Sequence, residues 1–216
     1  VALTLNVFPR STIADIVAEK GQLEDRMLAA YMTVYNDRLH VLAAPLRPEQ
    51  AEKVTGKLVG GVLQQLRNSY DFIIVDTVAS FSELTIAALD ASDKVLVLTA
   101  LDLPTVKNTK LALEILQSLG YEDEKTLLVL NRATPEGGID AKEVETSLKK
   151  SFAVSIPTDS KTVTSSINKG VPFVVANPST TVAQRMIAMA ALVAPLDPDL
   201  PSSEDKTSKR FKLFGR

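Results

Sequence analysis

The chain has 216 residues, 45% hydrophobic and 23% charged, enough for one sizeable domain with its own core. Its 24 basic and 26 acidic side chains leave a net charge of -2, which argues against general nucleic-acid binding. The absence of cysteine excludes disulfides and thiolate chemistry, and the single histidine, His40, makes a multi-histidine metal site or a Ser-His-Asp arrangement a poor reading.

In chain order, Leu39 to Ala43 is a first candidate strand. Gln50 to Leu66 has helical period, with Val54, Leu58, Val62 and Leu66 on one stripe. Phe72 to Val75 is a continuous apolar run that ends in Asp76-Thr77. Ser82 to Leu89 reads as a helix with Ser82 at its N-cap. Lys94 to Thr99 is the next strand, followed by a helix from Pro104 to Leu119 that Gly120 closes. Thr126 to Asn131 is a strand and Asp140 to Leu148 a helix. Phe152 to Ile156 is a shorter strand ending at Pro157. Helices follow over Lys161 to Asn168 and over Ser179 to Val193, with Ser179 as cap and a stop before Pro195. Pro195 to Ser208, rich in Pro, Asp and Ser, reads as a linker. No apolar run is long enough to cross a membrane.

Strands alternating with helices, and apolar without a polar face, predict an α/β fold. The sheet should be mostly parallel, a three-layer sandwich with helices on both faces. Ligands of such sheets bind beyond the C-terminal ends of the strands. Polar residues gather at those ends: Asp76 and Thr77, Thr99 and Asp102, Asn131 and Arg132, Thr158 and Asp159. Asp76 offers the hard oxygen that magnesium takes beside phosphate oxygens and water. Asn131 offers a donor and an acceptor to the edge of a purine. Plainer readings stand beside these. Asp-Thr starts turns and caps helices. Asn131 tolerates a left-handed turn, Arg132 suits a solvated turn, and Asp159 suits the N-cap of the helix near Lys161. His40 reads as a surface or lightly packed residue.

Several stretches resemble the MinD/ParA group of deviant P-loop ATPases, most of all its branch of pilus-assembly and localisation proteins, CpaE and TadZ. They are Tyr70-Asp71-Phe72-Ile73-Ile74-Val75-Asp76-Thr77, Ala87-Ala88-Leu89-Asp90 with Asp93, and Asp102-Leu103-Pro104-Thr105-Val106-Lys107-Asn108. Val129-Leu130-Asn131-Arg132-Ala133, Ile156-Pro157-Thr158-Asp159 and Asn168-Lys169-Gly170-Val171-Pro172 continue the pattern. The resemblance covers residues 1–194 and implies a P-loop NTPase fold that binds ATP and Mg2+. It makes Asp76 the Walker B-type aspartate near the metal and Thr77 the start of the segment that senses the γ-phosphate. It sets Asn131 and Arg132 against adenine, with Pro157, Thr158 and Asp159 as the other wall of the base pocket. It implies slow ATP hydrolysis, a homodimer across the nucleotide face, and recruitment of assembly or positioning partners. It also implies a cytoplasmic protein, peripheral at the inner face of a bacterial membrane.

The chain departs from that family in two places. Val78 and Ala79 follow Asp76-Thr77 where many members have two prolines. No G-x-x-x-x-G-K-[ST] occurs, so the phosphate loop is expected to precede Val1, and the start without methionine reads as a point inside a larger protein. As printed, negligible catalysis is expected. From Pro201 onward there are five basic and two acidic residues. The tail Lys209-Arg210-Phe211-Lys212-Leu213-Phe214 interleaves charge with apolar side chains, as membrane-surface segments do. Phe211, Leu213 and Phe214 are the expected lipid contacts, with Lys209, Arg210 and Lys212 toward anionic headgroups.

Overall fold

The structure, a computed structural model, describes residues 1–16, 25–133 and 139–194. In the N-terminal part, short helices α1 (Ile13–Ile16) and α2 (Asp25–Tyr31) precede a hairpin of β1 (Thr33–Asn36) and β2 (Leu39–Val41). The Asn36 side-chain oxygen accepts the backbone N–H groups of Arg38 and Leu39 and so fixes the turn. Helices α3 (Pro48–Ala51), α4 (Gly56–Leu66) and α5 (Glu83–Ala91) follow. Val62 and Leu66 of α4 form a core with Ile16 and Leu28, and Tyr70 and Ile73 pack against it.

The second part alternates strand and helix through its last strand and, among the described residues, ends in three helices. β3 (Val95–Thr99) leads to α6 (Leu103–Ser118), and a 3-10 turn at Asp123–Lys125 leads to β4 (Thr126–Leu130). Next come α7 (Ala141–Leu148), β5 (Phe152–Ser155), α8 (Ser160–Lys169), α9 (Phe173–Ala176) and α10 (Thr181–Val193). The three strands form a parallel sheet in the order β3-β4-β5, with Thr99 opposite Leu130. The period of two divides β4 between two cores. Leu128 packs with Val106 of α6 and with Val144 and Leu148 of α7. Val129 packs on the other face with Val154, Ile156 and Val182 of α10. This part has the expected helix-sheet-helix layering.

Four expectations are corrected. Leu39 to Ala43 is not a member of the parallel sheet: Leu39–Val41 pairs antiparallel with β1, and Ala43 forms one parallel bridge with Thr12. The helix expected over Gln50 to Leu66 is two, because Thr55 leaves the helical conformation and its hydroxyl accepts the Leu58 N–H to start α4. The cap of α10 is Thr180, one residue beyond Ser179. Phe72 to Val75 joins no strand ladder among the described residues. Its side chains are largely bare, Phe72 being 60% and Ile74 84% exposed. A strand needs a neighbour to receive its backbone hydrogen bonds, and no described strand flanks this one. The exposed Leu98 on β3, at 57%, marks a second uncovered place.

Candidate functional site

The polar residues at the ends of β3, β4 and β5 are stitched into one rim by backbone hydrogen bonds. The Asn131 N–H donates to the Thr99 carbonyl at 2.8 Å. The Ala133 N–H donates to the Ile156 carbonyl at 2.9 Å, and the Ile156 N–H to the Leu130 carbonyl at 2.8 Å. Asn131 is half-buried and its Oδ1 accepts the Arg132 N–H at 3.0 Å. That bond holds a tight turn in which Arg132, not Asn131, takes the left-handed φ of 52. The bond engages the Asn131 side-chain oxygen, and the amide nitrogen is the donor end of that side chain.

Two rim aspartates serve as helix caps. Asp102 Oδ1 accepts the Thr105 N–H at 2.9 Å at the start of α6. That N–H holds its carboxyl below the ordinary carboxylate range, the Thr105 hydroxyl acts the same way, and Arg132 adds a smaller pull. Asp159 Oδ1 accepts the Thr162 N–H at 2.9 Å at the start of α8, and the same kind of bond lowers its pKa, with Lys161 a minor contributor. Asp159 is thus committed to its helix, while Pro157 is half-buried and Thr158 exposed beside it. The charge of Arg132, after β4, is felt at Asp102, after β3, and no pattern of spacing in the sequence reports that link.

Asp76 and Thr77 stand apart from this stitched rim. Both are exposed, the Asp76 side chain at 69%, and the Val1 nitrogen lies 3.8 Å from Asp76 Oδ2. An open carboxylate of this kind suits magnesium, which keeps several waters and takes one or two protein oxygens. Lys209, Arg210, Phe211, Lys212, Leu213 and Phe214 lie outside the described residues, as does the linker. No helix among the described residues is long and apolar enough to cross a membrane.

A family described as an AAA domain matches residues 6–129, more than half of the chain. The septum site-determining protein MinD of Thermotoga maritima is 24% identical over 126 residues, which are 56% of this chain and 46% of that protein. The chain spans about half the length of the curated relatives it matches. Among solved structures, a ParA family ATPase from Chlorobium tepidum superposes with a TM-score of 0.81 at 20% identity, covering 87% of this chain and 79% of that one. MinD from Pyrococcus horikoshii, solved with Mg-ADP, gives 0.73 at 21% identity, covering 88% and 76%. The chain belongs to the AAA domain family, and its fold is that of the MinD and ParA ATPases.

Proposed function

We propose that this chain is the base-side and metal-side portion of an ATP-dependent positioning ATPase. The cargo we favour is a pilus or secretion-system assembly, as in the CpaE/TadZ branch, or a cell-division component. The observation that carries the reading is the stitched rim, with its Asn131-Arg132 turn and its Pro157-Thr158-Asp159 corner, in a fold shared with ATPases. Asn131 and Arg132 would hold adenine, Pro157, Thr158 and Asp159 would wall the base, and Thr77 would sense the γ-phosphate. Asp76 would hold Mg2+, which would neutralise charge on the triphosphate. The phosphate-holding loop comes from outside these residues. The unpaired Phe72 to Val75 run supports this, since a strand-loop-helix unit beside it would supply both a ladder and backbone N–H groups for phosphate. Residues 1–194 are then one ATPase domain, 195–208 a linker and 209–216 an anionic-membrane contact. Dimerisation across the nucleotide face doubles the tail and strengthens its hold.

A second reading keeps the fold and the dimer without hydrolysis, as a scaffold for assembly partners. Val78-Ala79 after Asp76-Thr77 favours it, because a scaffold needs no moving switch. Titration of Mg2+-ATP into the full-length protein tests the first reading. Asp76→Ala is expected to weaken binding about tenfold or more with Mg2+ present. Unchanged affinity removes Asp76 from the site, and tight binding without turnover favours the scaffold.

A further inference from the structure

The segment that carries Asp76 is fastened to one helix, α4, on both sides. On the near side, the Tyr70 N–H donates to the Leu66 carbonyl at the end of α4, at 3.0 Å. Ile73 packs on the core that Val62 and Leu66 of α4 form with Ile16 and Leu28. From Ile74 to Ser82 every residue is exposed. On the far side, Glu83 opens α5, and its Oε1 accepts the N–H of Gly56, the first residue of α4, at 2.9 Å. One carboxylate thus stands at the starts of two helices, where the helix dipoles favour negative charge. The approach is close: a Cβ on Gly56 would lie 2.8 Å from Glu83 Oε1 and 2.9 Å from its Cγ. The same two helices are joined again at their other ends, where Arg67 Nη2 donates to the Ala91 carbonyl at 2.9 Å.

We propose that Glu83 is a positioning residue for Asp76 and Thr77. Its bond to Gly56 fixes the far root of the exposed segment on the helix that already holds the near root. α4 is a rod about 15 Å long from Gly56 to Leu66. It sets the separation of the two roots, and so the place at which the segment between them presents its carboxylate and hydroxyl. With Glu83 released, the segment keeps only its near root and swings on it. The Arg67 bond still holds the helix pair together, so the placing of the segment, not the joining of the helices, is what Glu83 adds. The functional meaning rests on the nucleotide reading. The anchoring does not.

ATP titrations of the full-length protein, with Mg2+ present and with it chelated, read the affinity gained through the metal. Glu83→Ala is expected to cut that gain about tenfold. Gly56→Ala, whose methyl group displaces Glu83, should cut it in the same way from the other side of the contact. Glu83→Gln keeps an acceptor oxygen and should retain most of the gain. Arg67→Ala loosens the helix pair at its other end, and should lower thermal stability with the gain intact. Residues 1–216 have no cysteine. With any cysteine outside them replaced, spin labels at Ser80→Cys and Gln64→Cys, both exposed, report the distance from the segment to α4. That distance should broaden in Glu83→Ala and in Gly56→Ala. An unchanged distance in both overturns the anchoring. An unchanged gain in both, a loss of affinity equal with and without Mg2+, or an equal loss of gain in Arg67→Ala overturns the positioning role. A loss in Glu83→Gln as large as in Glu83→Ala overturns the hydrogen bond as its cause. A parent protein whose ATP binding owes nothing to Mg2+ defeats the nucleotide reading, while the distances still decide the anchoring.

Discussion

Asp102 has two electrostatic partners, the N-terminus of α6 and the Arg132 turn. Its folded-state pKa is depressed, so its stabilisation is present above the ordinary carboxylate value of about 3.9 and fades as pH falls through the lower folded value. Asp102→Asn keeps a capping oxygen and removes the charge. Thermal melts should place it below the parent at pH 7, and the difference should shrink as the pH drops below 3.9. A difference that persists in acid would assign the effect to packing. Asp159 was legible in the sequence as a cap because it stands two residues before Lys161 at the opening of a polar helical segment. The left-handed φ at Arg132 was not legible, because asparagine is the usual host for that conformation and arginine is not. The Asn131 side chain supplies the reason: it binds the next N–H and holds the turn from the preceding residue.

Among elements, Phe72–Val75 and Thr126–Leu130 have the same local text, continuous apolar residues of strand length. Thr126–Leu130 is the most buried strand of the sheet, while Phe72–Val75 is largely exposed and packs on a core through Ile73. Periodicity reports what a segment could pair with and carries no information on whether the pairing partner is at hand, so the expected strand is absent at Phe72–Val75 and present at Thr126–Leu130. The helices from Ser82 and to Gly120 were legible because a cap is local chemistry: Ser82 accepts the Thr85 N–H, and Gly120 takes φ +82. The break at Thr55 was missed because the Val54 to Leu66 stripe continues across it. Within α4, Gly60 and Gly61 meet nothing within 4 Å of an added Cβ. Gly61→Ala is therefore expected to stabilise the protein by about 0.5–1 kcal/mol, since the helical glycine sheds backbone entropy without a packing reason. Urea unfolding should show a higher midpoint with the slope unchanged. A lower midpoint would mean that something occupies that face in the folded protein.

Across the whole molecule, one part has helices on both faces of a three-stranded sheet and the other carries an apolar run that joins no ladder among the described residues. The layering of β3, β4 and β5 was legible from their alternation with helices. The hairpin of β1 and β2 was not, because Thr33–Asn36 is short and carries no two-residue glycine turn. If the tail delivers the assembled protein to lipid, Phe211→Ser with Phe214→Ser should abolish sedimentation with anionic liposomes while leaving thermal stability unchanged. Sedimentation equal to the parent's would leave the tail without that role. The bare run at Phe72–Val75 has a further consequence in solution. Uncovered aliphatic and aromatic side chains on a backbone without a described partner are what aggregates recruit. Residues 1–216 produced by themselves should therefore cloud as their concentration rises, and a segment that covers Phe72–Val75 should keep the solution clear.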